Sequence, residues 1–206
     1  MNLSQPLTSL IPSLEGQVLT VLSGTKTEFT GAQVHRVLGK FSDKGVRDAL
    51  NALAEEGIVI KKSAGAAYLY SLNRDHLLAA PILAIAGARK DLLTNMGEEI
   101  KSWKIKPHFA AVFGSSVRSD MTKASDIDVF MHRNAKSTIE DHAWQQQLLD
   151  FSLLVERWTG NYLQIFELND EEIKKELTTK NGVIHNIIRE GVVIYGDKGA
   201  LTNLER

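Results

Sequence analysis

The sequence predicts an α+β protein of two parts: a small helical unit closed by a β-hairpin, then a mixed α/β unit built on a mixed sheet. Three observations predict it. Three short stretches of helical periodicity followed by two β-branched or aromatic runs fill residues 1–75. A long stretch of helical spacing covers the connecting residues 76–104. Within residues 105–206, short and almost wholly apolar runs read as buried strands. A chain of 206 residues can bury two such cores. Its 43% hydrophobic and 24% charged residues are ordinary for folded domains and exclude a disordered or collagen-like chain. The absence of cysteine removes disulfides, thiolate metal sites and a cysteine nucleophile together. Metal chemistry must therefore use oxygen or imidazole ligands. The start of the chain lacks a basic segment followed by a long apolar core, and no run approaches about 18 apolar residues. The expectation is a cytoplasmic chain with no membrane partner. With 24 Lys and Arg against 25 Asp and Glu, the formal net charge of -1 gives no global attraction to nucleic acid or membrane.

Leu14, Val18, Leu19 and Leu22 recur at helical spacing and stop at Ser23-Gly24. Thr30 can cap a second helix, with Val34, Val37 and Leu38 on one side and Gly39 at its end. Ser42 caps a third, in which Val46, Ala49, Leu50 and Leu53 follow an i, i+3, i+4, i+7 pattern. Ile58-Val59-Ile60 and Tyr68-Leu69-Tyr70 then flank the small residues Ser63 to Ala67, the expected tip of a hairpin.

The stretch VRDALNALAEEGIVIKKSAGAAYLYSLNR resembles the winged helix-turn-helix transcription regulators, and the resemblance covers roughly residues 13–73. It implies that the third helix enters the major groove of a DNA operator through Lys44, Arg47 and Asn51, with Lys61 and Lys62 of the hairpin at the backbone. Up to Asp75 the chain carries eight basic and seven acidic residues, a weak footprint for DNA. Winged helices also serve as docking modules.

From Pro81 to Trp103, the residues Ile82, Ile85, Leu92, Met96, Ile100 and Trp103 form a helical stripe that must be covered. The cover is either the following unit or the same helix of a second subunit, because the stripe also approximates a heptad seam. The latter would make a homodimer.

Phe109 to Phe113 form an apolar run that stops at Gly114-Ser115. Glycine lets an anion approach the backbone, and a helix opened by Ser115 and Ser116 would aim N–H groups at it. Asp126-Ile127-Asp128 then precedes a second apolar run, Val129-Phe130-Met131. Strand alternation projects Asp126 and Asp128 to one side, about 6–7 Å apart along the backbone. Two neighbouring carboxylates repel each other, and a divalent cation resolves the conflict. Mg²⁺ is usually held by one or two carboxylates plus substrate phosphates. A phosphate cradle beside an acidic pair is thus a geometry for phosphoryl or nucleotidyl transfer.

GSSVRSDMTKASDID resembles the signature of the DNA-polymerase-β-like nucleotidyltransferases, above all the minimal ones, with the ten residues Ser116 to Ser125 between Ser115 and Asp126. The resemblance implies a polymerase-β-like fold over about residues 80–206, closed by the strand Gly191 to Gly196. It implies that Gly114 and Ser115 bind the triphosphate of a nucleoside triphosphate, ATP among them, and that catalytic Asp126 and Asp128 hold Mg²⁺ or Mn²⁺. Arg118 follows Gly-Ser, where a guanidinium can reach phosphate. The family's third acid lies on a later strand, here Asn161 to Glu167, and Gln164 stands in its place. Glutamine cannot act as a base near neutral pH. Glu167 has the charge but the opposite alternation.

The implied activity transfers a nucleoside monophosphate to an acceptor hydroxyl, with a partner protein such as a toxin as one acceptor class. The alternative is a DNA-binding regulator whose weakened second domain senses nucleotide. His108 and His132, which flank the site strands, are expected at the surface, and Trp144 and Trp158 in the core or at its edge. Asp170-Glu171-Glu172 before Lys174-Lys175 reads as a helix start.

Overall fold

Thr30 and Ser42 stand in extended backbone just before a helix, and each hydroxyl accepts a backbone N–H three residues on, from Gln33 and Gly45. Such caps fix where the helices of the N-terminal unit begin. The computed structural model describes residues 1–117, 121–122, 125–133, 141–179 and 182–202. It divides into two units, Ser4–Arg89 with Asn2, and Lys90–Arg206 with Met1 and Leu3.

The first unit contains α1 (Leu7–Leu10), α2 (Leu14–Ser23), β1 (Phe29–Thr30), α3 (Gly31–Leu38), α4 (Asp43–Glu55), β2 (Val59–Ala64) and β3 (Ala67–Leu72). Its three strands pair antiparallel in the order β1-β3-β2. The hairpin tip is tighter than expected. Ala64 pairs with Ala67, so only Gly65 and Ala66 turn the chain. Val18, Leu22, Val34, Val46, Leu50, Val59 and Tyr70 share one buried core with Ile82. Removing a side chain such as Leu50 would cost about 2–5 kcal/mol.

In the second unit, α5 (Ala79–Ser102), which begins in the first, contributes Leu92, Met96 and Ile100 to the core. The unit continues with β4 (Phe109–Phe113), a 3₁₀ turn (Gly114–Ser116), β5 (Ile127–His132), α6 (His142–Thr159) and β6 (Leu163–Leu168). It ends with α7 (Asp170–Leu177), α8 (Val183–Glu190), β7 (Val192–Gly196) and α9 (Gly199–Thr202). The sheet order is β6-β5-β4-β7, with β5 and β6 parallel and the other pairs antiparallel. Helix α6 supplies the crossover that a parallel pair requires.

Alternation sorts this sheet into two faces. Ala110, Val112, Ile127, Val129 and Met131 share a core with α5 and α6, where Trp103 meets Trp144 and Phe151 edge to face. Phe109, Ala111 and Phe130 share another with Ile173 of α7 and Ile184 and Ile187 of α8. The stripe on the C-terminal half of α5 is thus covered by the sheet of its own unit. A Cβ at Gly97 would lie 2.5 Å from the Ile194 carbonyl oxygen, so this helix approaches β7 only because the residue is glycine. Among the described residues no helix is long and apolar enough to cross a membrane.

Candidate functional site

Strand β4 ends at Phe113, which pairs with Asp128 of β5, and the chain then turns at Gly114 with φ +71°. A Cβ on Gly114 would collide with Oδ2 of Asp128. The missing side chain thus serves two needs, a left-handed backbone and a carboxylate lying against it. The helix expected to open at Ser115-Ser116 is a single 3₁₀ turn, closed by Val117 N–H donating to the Gly114 carbonyl at 3.2 Å. The buried Ser116 hydroxyl donates to the Phe113 carbonyl at 2.9 Å, which leaves Ser115 as the more accessible serine of the turn.

Asp128 is the second residue of β5, and its register partner on β6 is Gln164. The Gln164 side-chain amide donates to Oδ2 of Asp126 at 3.0 Å. Asp126, Asp128 and Gln164 therefore share the face covered elsewhere by α7 and α8, and alternation met the expectation here. The chain is tied to the β6 side just before and just after Asp126: Asn161 Nδ2 donates to the Ser125 carbonyl at 2.9 Å, and Ile127 N–H donates to the Tyr162 carbonyl at 2.9 Å. Arg118 lies outside the described residues.

The donor set suits a hard cation. Two carboxylates, and a glutamine amide whose oxygen replaces its nitrogen on rotation, offer oxygen ligands only. Among the described residues no third carboxylate or imidazole completes a cluster with them. Such a pair fits Mg²⁺ or Mn²⁺ when substrate phosphates fill the remaining positions. Glu167 does not contribute, since its carboxylate accepts from Trp144 Nε1 at 2.6 Å on the opposite face.

One histidine departs from expectation. His108 is exposed, but His132 is buried, because it shares the face of Phe130 and the start of α7 covers it. His132 Nε2 lies 2.5 Å from Asp170 Oδ1, and its Nδ1 has no partner. Burial holds the imidazole below its usual pKa, opposed by Asp170 and assisted by His108. Protonation would also bury an N–H on Nδ1 with no acceptor.

In the first unit, Lys44, Arg47 and Asn51 lie on α4, and Lys61 and Lys62 on β2. Lys44 pairs with Asp48 at 2.7 Å, Arg47 with Asp43 at 2.5 Å and Lys62 with Glu28 at 2.7 Å. Lys61 donates to Asn51 Oδ1 at 2.9 Å and lies over the Tyr68 ring. Lys44, Arg47 and Lys62 thus sit beside acids rather than forming a bare basic stripe.

Sequence reasoning passes over Tyr162, although it shares the parity of Gln164 and is 68% exposed. The same counting that found Gln164 finds it.

Residues 98–199 match the family model described as Polymerase beta, Nucleotidyltransferase. The match covers 102 of the 206 residues and makes this segment similar to the polymerase-β-type nucleotidyltransferases. Gly114, Ser115, Asp126, Asp128 and Gln164 all fall inside it. The nucleotidyltransferases it resembles are transferases, whose general reaction moves a nucleoside monophosphate from a nucleoside triphosphate with the help of a divalent metal. No curated protein matches the chain.

Proposed function

We propose that the protein transfers a nucleoside monophosphate from a nucleoside triphosphate to an acceptor hydroxyl and releases pyrophosphate, with Asp126 and Asp128 as the catalytic, metal-holding carboxylates. The observation that carries this reading is the pair of carboxylates on one face of the sheet, with Asp128 lying against Gly114, within the matched segment. Gly114 and Ser115 take the triphosphate, and Arg118 adds a guanidinium to its phosphates. When bound, Mg²⁺ or Mn²⁺ would neutralise charge on the phosphates and polarise the attacking oxygen. Gln164 orients Asp126 and accepts no proton. Its amide in the third acid's place favours an acceptor that ionises readily by itself. Incubation with each α-labelled nucleoside triphosphate, Mg²⁺ or Mn²⁺ and a cell lysate tests the reading. Label on a protein, nucleic acid or small molecule, lost in Asp126→Asn, supports it and identifies the acceptor. A partner protein, such as a toxin, is one acceptor class.

For the first unit we infer a winged helix-turn-helix that binds a DNA operator through Lys44, Arg47, Asn51, Lys61 and Lys62. The order of three helices and a hairpin after α1 supports this. Phosphate must then displace Asp43, Asp48 and Glu28 from their cations, so binding falls steeply with salt. Arg47→Ala should weaken specific operator binding by about 1–3 kcal/mol in a mobility-shift titration. Unchanged affinity would remove Arg47 from base readout. With an inactive second domain, the same chain would instead be a regulator that senses nucleotide, and added nucleotide would change DNA affinity without any label transfer.

A further inference from the structure

We propose that Tyr162 is a site at which the protein nucleotidylylates its own chain. The proposal rests on the reading of Asp126 and Asp128 as the transfer centre and deepens it by naming an acceptor. Three features of the second unit converge on this residue. The first is position across the sheet. The glycine turn stands at the end of β4, the carboxylates at the start of β5, and Tyr162 immediately before β6, in adjacent places of the order β6-β5-β4. The Tyr162 carbonyl accepts from Ile127 N–H, so its backbone already belongs to the β5–β6 ladder. Ile127 pairs with Leu163 and Asp128 with Gln164, and the same register carries Tyr162 to the side of Asp126. Alternation puts Tyr162 on the face of Gln164, which itself bonds Asp126.

The second is the direction of displacement. A nucleophile attacks phosphorus opposite the leaving group. With the pyrophosphate end at Gly114-Ser115 over β4 and the α-phosphorus at the carboxylates over β5, attack comes from above β6. Neighbouring strands lie about 4.8 Å apart, a spacing a tyrosine side chain spans. Tyr162 is 68% exposed, and its hydroxyl makes no hydrogen bond among the described residues.

The third is chemistry. Gln164 cannot remove a proton, and a phenol is far more acidic than an alkyl alcohol, so it suits a centre without a base. In the step, the Tyr162 oxygen bonds to the α-phosphorus, the bond from that phosphorus to the bridging oxygen breaks, pyrophosphate leaves, and the phenolic proton passes to solvent. The product is a phosphodiester between the tyrosine and the nucleoside monophosphate. It fills the acceptor position, so the modification would silence transfer to any other acceptor.

The test uses the purified full chain, each α-labelled nucleoside triphosphate and Mg²⁺ or Mn²⁺, read by intact mass and by sequencing of the labelled peptide. The expected result is one added nucleoside monophosphate on Tyr162, at a rate per molecule independent of protein concentration. Tyr162→Phe should abolish the label, and Tyr68→Phe should leave it unchanged. A second measurement needs no turnover: the uncleavable α,β-methylene analogue of ATP with Mg²⁺ should slow nitration of Tyr162 by tetranitromethane several-fold, without slowing that of Tyr68. Label on another residue, or undiminished label in Tyr162→Phe, overturns the proposal. Absence of self-label in wild type overturns it, and pyrophosphate release that Asp126→Asn abolishes then leaves the transfer centre standing. If neither label, pyrophosphate release nor protection differs between wild type and Asp126→Asn, the transfer centre itself is refuted, and this proposal with it.

Discussion

Replacing Gly114 by alanine tests the junction of fold and site, because the residue's φ of +71° and the Asp128 carboxylate both exclude a Cβ. The left-handed backbone alone costs an ordinary residue about 1–2 kcal/mol. Forcing the carboxylate aside adds the strain of overpacking, about 1–3 kcal/mol, so the variant should lose about 2–5 kcal/mol in all. Gly160 supplies the control: its φ is +68°, and a Cβ there would meet nothing within 4 Å. Gly160→Ala should therefore lose only the backbone share, about 1–2 kcal/mol. For a chain of this size each kcal/mol shifts the melting temperature by about 2–4 °C, which calorimetry resolves. Binding separates the pair further. A displaced Asp128 should cost Gly114→Ala at least tenfold in affinity for Mg²⁺ and α,β-methylene ATP, about 1.4 kcal/mol, while Gly160→Ala binds as wild type. If the two variants melt together and bind alike, Gly114 does not seat the carboxylate, and the reasoning fails.

Gln164→Glu places a third carboxylate beside Asp126, so without metal the variant should melt below wild type, whereas Mn²⁺ should raise its melting temperature more than that of wild type and speed transfer. An identical response to Mn²⁺ in calorimetry would remove Gln164 from the site. His132 gives a pH dependence. Its folded-state pKa lies below the unfolded value, so the unfolded chain binds the proton more readily, and stability is full above about pH 6.5 and falls as pH drops through the folded pKa. His132→Gln should flatten that fall in denaturant titrations at pH 5 and pH 8, and an unchanged slope would contradict it.

What could be read from the sequence follows the range of each interaction. Thr30 and Ser42 announced their helices because capping acts over three residues. The strands at Phe109 and Val129 were visible because both of their faces are buried. Alternation alone put Asp126 and Asp128 together, and Gln164 opposite Glu167 in facing. Helix α1 and strand β1 were not legible, since four and two residues carry no period. The burial of His132 is not legible locally because it depends on α7, which arrives 38 residues later to put Asp170 against it. The pairing of Lys44 and Arg47 with acids was legible as i, i+4 spacing, but that of Lys62 with Glu28 needed the hairpin. Tyr162 lay in plain view, yet only the register of β6 against β5 gives it a place beside Asp126.

Nucleotidyl transfer is proposed to depend on metal held by Asp126 and Asp128. The most direct test of this dependence is pyrophosphate release from nucleoside triphosphates by wild type, Asp126→Asn and Asp128→Asn, each with Mg²⁺, Mn²⁺ or chelator. Wild type should release pyrophosphate only with metal, and either variant should lose at least a hundredfold in rate, about 2.7 kcal/mol of barrier, with melting temperature kept. Release by both variants at the wild-type rate would contradict the dependence.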